Sequence, residues 1–147
     1  MICREVREGG VRVGFEIMDL STATRGWLAH VNQPTGPKIG KYLVNLTDLD
    51  VIGVGAILDA LQNADILAVD EIGPMELSSP AFSKALVAAV ESSKPLIGTI
   101  HYGLKNPILD SIRNREEAEI LKVTYKNRAS LHNLIADKIS EYLVKQD

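Results

Sequence analysis

The chain is poor in the features that mark several large classes of protein. Its one cysteine, Cys3, excludes an internal disulfide and any metal site built from clustered cysteines. Nothing around it suggests a reactive thiol, so it reads as inert. Basic charge does not dominate: 16 Lys and Arg stand against 19 Asp and Glu, for a net charge of −3. That balance argues against binding nucleic acid by bulk electrostatics. No apolar run approaches the roughly 18 residues that span a bilayer. The opening "MICREVREGG" is charged and lacks the apolar core of a signal peptide. These absences point to a cytoplasmic protein with no membrane partner. His30 and His132 have no partner at metal-ligand spacing, and no G-x-S-x-G elbow carries a nucleophilic serine.

What is present reads as one α/β domain over 1–147, with no linker, repeat or low-complexity segment. Val11, Val13, Phe15 and Ile17 alternate with Arg12, Gly14, Glu16 and Met18, the period of a half-buried strand. The polar "STATRG" then turns the chain into "WLAHV", which predicts a β-hairpin. After "YLVNL", a helix is predicted with Thr47 or Asp48 as its cap and Leu49, Ile52, Ala56, Ile57 and Leu61 on its apolar stripe. Gly53 and Gly55 weaken that helix, since each costs about 1 kcal/mol relative to Ala. Ile66 to Val69 and "KPLIGTIH" read as buried strands, separated by a helix starting at Ser78 or Ser79 and Pro80. "NPILDSIRN" reads as a short helix and "AEILKVT" as a last strand. A C-terminal helix follows from about Asn127, with Leu131, Leu134, Ile135, Ile139, Tyr142 and Leu143 inward. Such alternation predicts a mostly parallel sheet with helices on both faces.

Ligands of open parallel sheets sit beyond the carboxyl ends of the strands. "ILAVDE" therefore places Asp70 and Glu71 at the active edge. An Asp delivered by a buried strand can hold hydrated Mg²⁺ beside a triphosphate, and a neighbouring carboxylate can take a proton from water. The plainer alternative is that Asp70 caps a turn and Glu71 is solvated. "GTIH" ends the next strand in Thr99 and His101, which could sense a phosphate or merely satisfy backbone groups. "GPKIGKY" imitates a phosphate-binding loop without being one. Only three residues separate Gly36 from Gly40, Tyr42 replaces the required Ser or Thr, and the loop runs into a strand. No other stretch fits G-x-x-x-x-G-K-[ST] either.

Taken together, "EVREGGVRVGF", "GPKIGKYLVNL", "AVDEIGPMEL", "GTIH" and "VTYKNR" resemble the P-loop nucleoside-triphosphatases of thermophiles and vertebrates (the cancer-related nucleoside-triphosphatase), in order and over nearly the whole chain. The resemblance implies a Rossmann-like P-loop domain related to nucleotide kinases. It also implies Mg²⁺-dependent hydrolysis of ATP, GTP and other nucleoside triphosphates to the diphosphate and phosphate. By the same resemblance Asp70 is the Walker-B magnesium residue, acting through water, and Glu71 the base. Lys41, His101, Asn127 and Arg128 fall in motifs that approach the nucleotide.

The chain departs from that family in three ways. Cys3 stands where the family often has Thr, and Met1 where it often has Phe. The first strand, P-loop and first helix precede, in the family, the point where this chain opens. The departure leads to the expectation that Met1 is an internal methionine, with a degenerate paralogue as the competing reading. Without the P-loop amides, lysine and hydroxyl, residues 1–147 alone are expected to hydrolyse weakly or not at all. Sheet edges left without a neighbour would open a route to self-association. Two other functions stay open: a nucleotide or nucleoside kinase-like phosphotransferase, and a catalytically silent nucleotide-binding or assembly module.

Overall fold

The computed structural model describes residues 1–145. Although no linker is visible in the sequence, the chain forms two compact units, Met1–Leu109 and the residues from Asp110 onward. No helix of the described residues is long and apolar enough to cross a membrane.

The first unit is built on a seven-stranded sheet. Its strands are β1 (Ile2–Glu8), β2 (Val11–Met18), β3 (Arg25–His30), β4 (Lys38–Ile39), β5 (Tyr42–Val44), β6 (Leu67–Ile72) and β7 (Leu96–Ile100). They lie in the order β4-β5-β3-β2-β1-β6-β7. β1 and β2 are joined by Gly9 and Gly10, at φ 55° and 81°. Two successive positive φ values suit a two-residue hairpin turn, whose twist matches the strands it connects. β2 pairs antiparallel with β3, as the alternation predicted.

The sheet is mixed, which corrects the expected mostly parallel pairing. β1–β2, β2–β3, β3–β5 and β4–β5 are antiparallel, while β1–β6 and β6–β7 are parallel. The cause is connection length. Short turns reverse the chain between β1 and β2, β2 and β3, and β4 and β5, whereas β6 and β7 are each reached through helical crossovers. β1 meets β6 at the single register pair Ile2↔Asp70. Beside that pair the Met1 amine donates to the Ala68 carbonyl at 2.7 Å. A cavity of about 260 Å³ opens there, lined by Met1, Asp19, Ile57, Ala60, Ile66 and Ala68 among others.

The first crossover is a helical run of α1 (Leu46–Asp48), a π-helical stretch (Leu49–Val54) and α2 (Gly55–Asn63). Its cap is Asn45, not Thr47 or Asp48: the Asn45 side chain accepts from the Asp48 N–H at 3.1 Å. Asp48 instead accepts from the Trp27 N–H at 2.8 Å and ties the run to β3. Gly53, a weakness on helix propensity, is a packing requirement. A Cβ there would stand 2.9 Å from Ile17 Cδ1 and 3.4 Å from Met1 Sδ, so glycine lets the run settle on the sheet. Lys94 closes the far end by donating to the Ala60 and Ala64 carbonyls at 3.2 and 2.6 Å.

The second crossover is α3 (Pro80–Glu91), which follows a 3-10 turn at Glu76–Ser78. Ser79 caps it by accepting from the Phe82 N–H at 3.0 Å, with Pro80 in the first turn. The core between helices and sheet holds Ile17, Leu28, Leu49, Ile57 and Phe82, all at most 2 % exposed. β6 is buried as expected, whereas β7 is an edge strand with Gly98 and Thr99 exposed.

α4 (Pro107–Arg113) carries the chain into the second unit, where α5 (Leu131–Val144) is the longest element. The predicted strand "AEILKVT" does not form. Ile120 and Val123 are exposed, because apolar composition alone supplies no strand edge to pair with. On α5 the half-buried residues are Leu131, Ile135, Ile139 and Leu143, while Leu134 and Tyr142 are exposed.

Ser79 is fully buried and also donates to Asp50 Oδ1, joining α3 to the first crossover. Ser79→Ala is expected to lose roughly 1–2 kcal/mol of stability, and Phe82→Ala roughly 3–5 kcal/mol. Urea unfolding of both variants measures the difference.

Candidate active site at the end of the central parallel strand

β6 delivers two carboxylates at its end. Asp70 is exposed and Glu71 half-buried, while Val69 and Ile72 beside them are almost completely buried. The flanking apolar residues anchor the strand and leave the acids at the surface. Thr99, from the adjacent β7, donates its hydroxyl to Asp70 Oδ1. One Asp70 oxygen is thereby fixed, and the other has no hydrogen-bond partner among the described residues.

His101 follows β7 and is held at the same end, its N–H donating to the Ile72 carbonyl at 3.1 Å. The sequence-predicted group therefore divides. Asp70, Glu71, Thr99 and His101 are brought to one edge by neighbouring strands. Lys41 is not: it sits in the turn between β4 and β5, its amine 5.4 Å from the Tyr42 ring centroid. β5 is four strand intervals from β6, about 19 Å at the usual spacing. Asn127 and Arg128 belong to the second unit, and both are engaged locally. Asn127 Oδ1 accepts from the Thr124 N–H at 2.7 Å, and Nδ2 donates to the Lys122 carbonyl at 2.8 Å. The Arg128 guanidinium lies 5.1 Å from the Tyr125 ring centroid.

Two residues at the site escaped sequence reasoning. Glu76, only 4 % exposed, turns back so that Oε2 accepts from the Gly73 N–H at 3.0 Å. Its Oε1 receives the Cys3 thiol at 3.7 Å. Burial pushes the Glu76 carboxyl up to about 7, and the nearby Glu71 charge adds to the rise. Burial also pushes the Cys3 thiol up, so it stays protonated and can donate. The sequence carried one signal: an acid inside the apolar "IGPMEL", where a solvated glutamate has no evident place.

Mg²⁺ takes oxygen donors and is commonly held by one or two carboxylates together with substrate phosphates. An exposed Asp70 with a free oxygen and a hydroxyl beside it suits that chemistry. Among the described residues no group of three or more His, Cys, Asp or Glu could form a protein-only cage.

Comparison with known proteins shows what the chain as a whole is similar to. The family model described as "NTPase" matches residues 1–136. The nucleoside-triphosphatase THEP1 of Thermofilum pendens is 42% identical over 146 residues, covering 99% of this chain and 80% of that protein. The protein of the same name from Methanosarcina barkeri is 41% identical over 137 residues, covering 93% and 76%. Among solved structures, THEP1 from the hyperthermophile Aquifex aeolicus superposes with a TM-score of 0.79 at 22% identity, covering 91% of this chain and 78% of that one. The α/β fold expected from the motifs is the fold found, and it is shared with that structure.

Glu76 gives the site a measurable pH signature. Its carboxyl holds a proton more tightly folded than unfolded, so its contribution to stability is present below the ordinary value of 4.5. That contribution is lost as pH rises toward about 7. The loss is on the order of 3 kcal/mol. Glu76→Gln is expected to remove this fall, measured by urea unfolding of both proteins between pH 5 and 8.

Proposed function

The chain belongs to the NTPase family, and on that premise we propose that it hydrolyses nucleoside triphosphates, ATP and GTP among them, to the diphosphate and phosphate. The observation that carries the reading is the pair of carboxylates at the end of β6, with Asp70 steadied by Thr99 and Glu71 beside it. Asp70 would hold Mg²⁺, and the metal would supply charge neutralisation for the phosphates. Glu71 accepts the proton of the attacking water as its oxygen bonds to the γ-phosphorus. The β–γ bond breaks with its electron pair going to the β-phosphate oxygen. His101, exposed at the same edge, is the residue assigned here to meet a phosphate. The proposed setting is the cytoplasm, in keeping with a single unpaired cysteine.

Residues 1–147 contain the carboxylate side of such a site and no G-x-x-x-x-G-K-[ST] cradle. Phosphate release by these residues alone is therefore expected to be slow, while nucleotide titration registers binding. Release is measured with ATP and GTP, with and without Mg²⁺ and with and without hydroxyl acceptors. Turnover needs Mg²⁺ and no acceptor, and Glu71→Gln lowers it by about 10²-fold or more with binding retained. A requirement for an acceptor would make the protein a phosphotransferase. Turnover unchanged in Glu71→Gln would remove Glu71 from the chemistry.

A further inference from the structure

Glu76 is a buried acid without a cation: among the described residues its partners are the Gly73 amide and the Cys3 thiol. A carboxyl in such a place costs more than an apolar residue of the same size. Buried acids of this kind concentrate at functional sites, and its surroundings show what it holds. Oε2 takes the Gly73 N–H, two residues after Glu71, and the Leu77 N–H closes the same turn on the Gly73 carbonyl at 3.0 Å. Cys3, on β1, donates its thiol to Oε1, so Glu76 is also tied to the strand beside β6. The turn that follows Glu71 is thus held by Glu76, which is itself anchored to β1.

Gly73 supplies the third part. A Cβ at this position would lie 3.0 Å from Glu71 Oε1 and 3.1 Å from Glu76 Oε2. The two carboxylates share the space that glycine leaves open, with these oxygens within about 6 Å of each other. We propose that Glu76 is a positioning residue for Glu71, clamping the turn after β6 so that the Glu71 carboxylate keeps one orientation beside Asp70. The proposal rests on Glu71 acting as the base for hydrolysis, but the geometry it asserts can be read without turnover.

The experiment compares wild type, Glu76→Ala, Glu76→Gln and Gly73→Ala. Side-chain NMR reports the Glu71 rotamer, and phosphate-release kinetics are taken on the same samples. Gln can still accept from Gly73 and donate to the Cys3 sulfur, so it preserves the clamp without the charge. The expected result is one Glu71 rotamer in wild type and Glu76→Gln, and several in Glu76→Ala. kcat falls roughly 10- to 100-fold in Glu76→Ala, KM stays within about twofold, and Glu76→Gln recovers most of kcat. Gly73→Ala, which keeps the buried acid but fills the shared space, displaces Glu71 in the same way and serves if Glu76→Ala does not fold. A wild-type Glu71 rotamer in both Glu76→Ala and Gly73→Ala overturns the proposal, as does Glu76→Gln behaving like Glu76→Ala. If no sample turns over, the rotamer result alone decides the positioning.

Discussion

Burial of β6 between β1 and β7 is the constraint on which the site depends. Leu67, Val69 and Ile72 are each at most 2 % exposed, so the strand is fixed by packing beneath, by its ladder to β7 and by its pairing with β1 at Ile2↔Asp70. A fixed strand has a fixed end, and that end carries Asp70 and Glu71. The same pairing brings Thr99 to Asp70 from one neighbour and Cys3 to Glu76 from the other. The chemistry therefore inherits its precision from apolar residues that never touch a ligand.

The helical run that covers the sheet shows how a local weakness serves a tertiary need. Gly53 lowers helix propensity and Gly26 lowers strand propensity. A Cβ on Gly26 would stand 2.5 Å from Asp48 Oδ2 and 2.6 Å from Ile52 Cδ1. With both side chains absent, helix and strand approach closely enough for Asp48 to accept the Trp27 amide. The conformational cost of each glycine, about 1 kcal/mol, is offset by burial along the whole contact.

Acidic groups gather where the sheet ends, and each is treated differently by its surroundings. Asp70 stays in solvent with a hydroxyl on one oxygen, Glu71 is half-covered, and Glu76 is enclosed. Three carboxylates in one small region would repel one another if all were charged. Enclosure of Glu76 favours its protonated form near neutrality and relieves that repulsion without a cation.

The α/β class, the β2–β3 hairpin, the Ser79–Pro80 helix start and the Asp70–Glu71 pair were legible in the amino-acid order. Each is a local matter of side-chain period, turn chemistry or capping, decided within a few residues. Sheet direction was not, because it depends on which edges later strands find. The "AEILKVT" strand failed for the same reason, having pattern but no edge. Lys41 shares the family's motifs with Asp70, yet sheet order alone sets them four strands apart. Glu76 and Cys3 meet across a sequence separation of 73 residues. Their contact, and the buried acid it creates behind Glu71, exists only because parallel pairing sets Ile2 against Asp70. Local propensity determined the elements and the identity of the acids; long-range strand pairing decided which groups stand beside them.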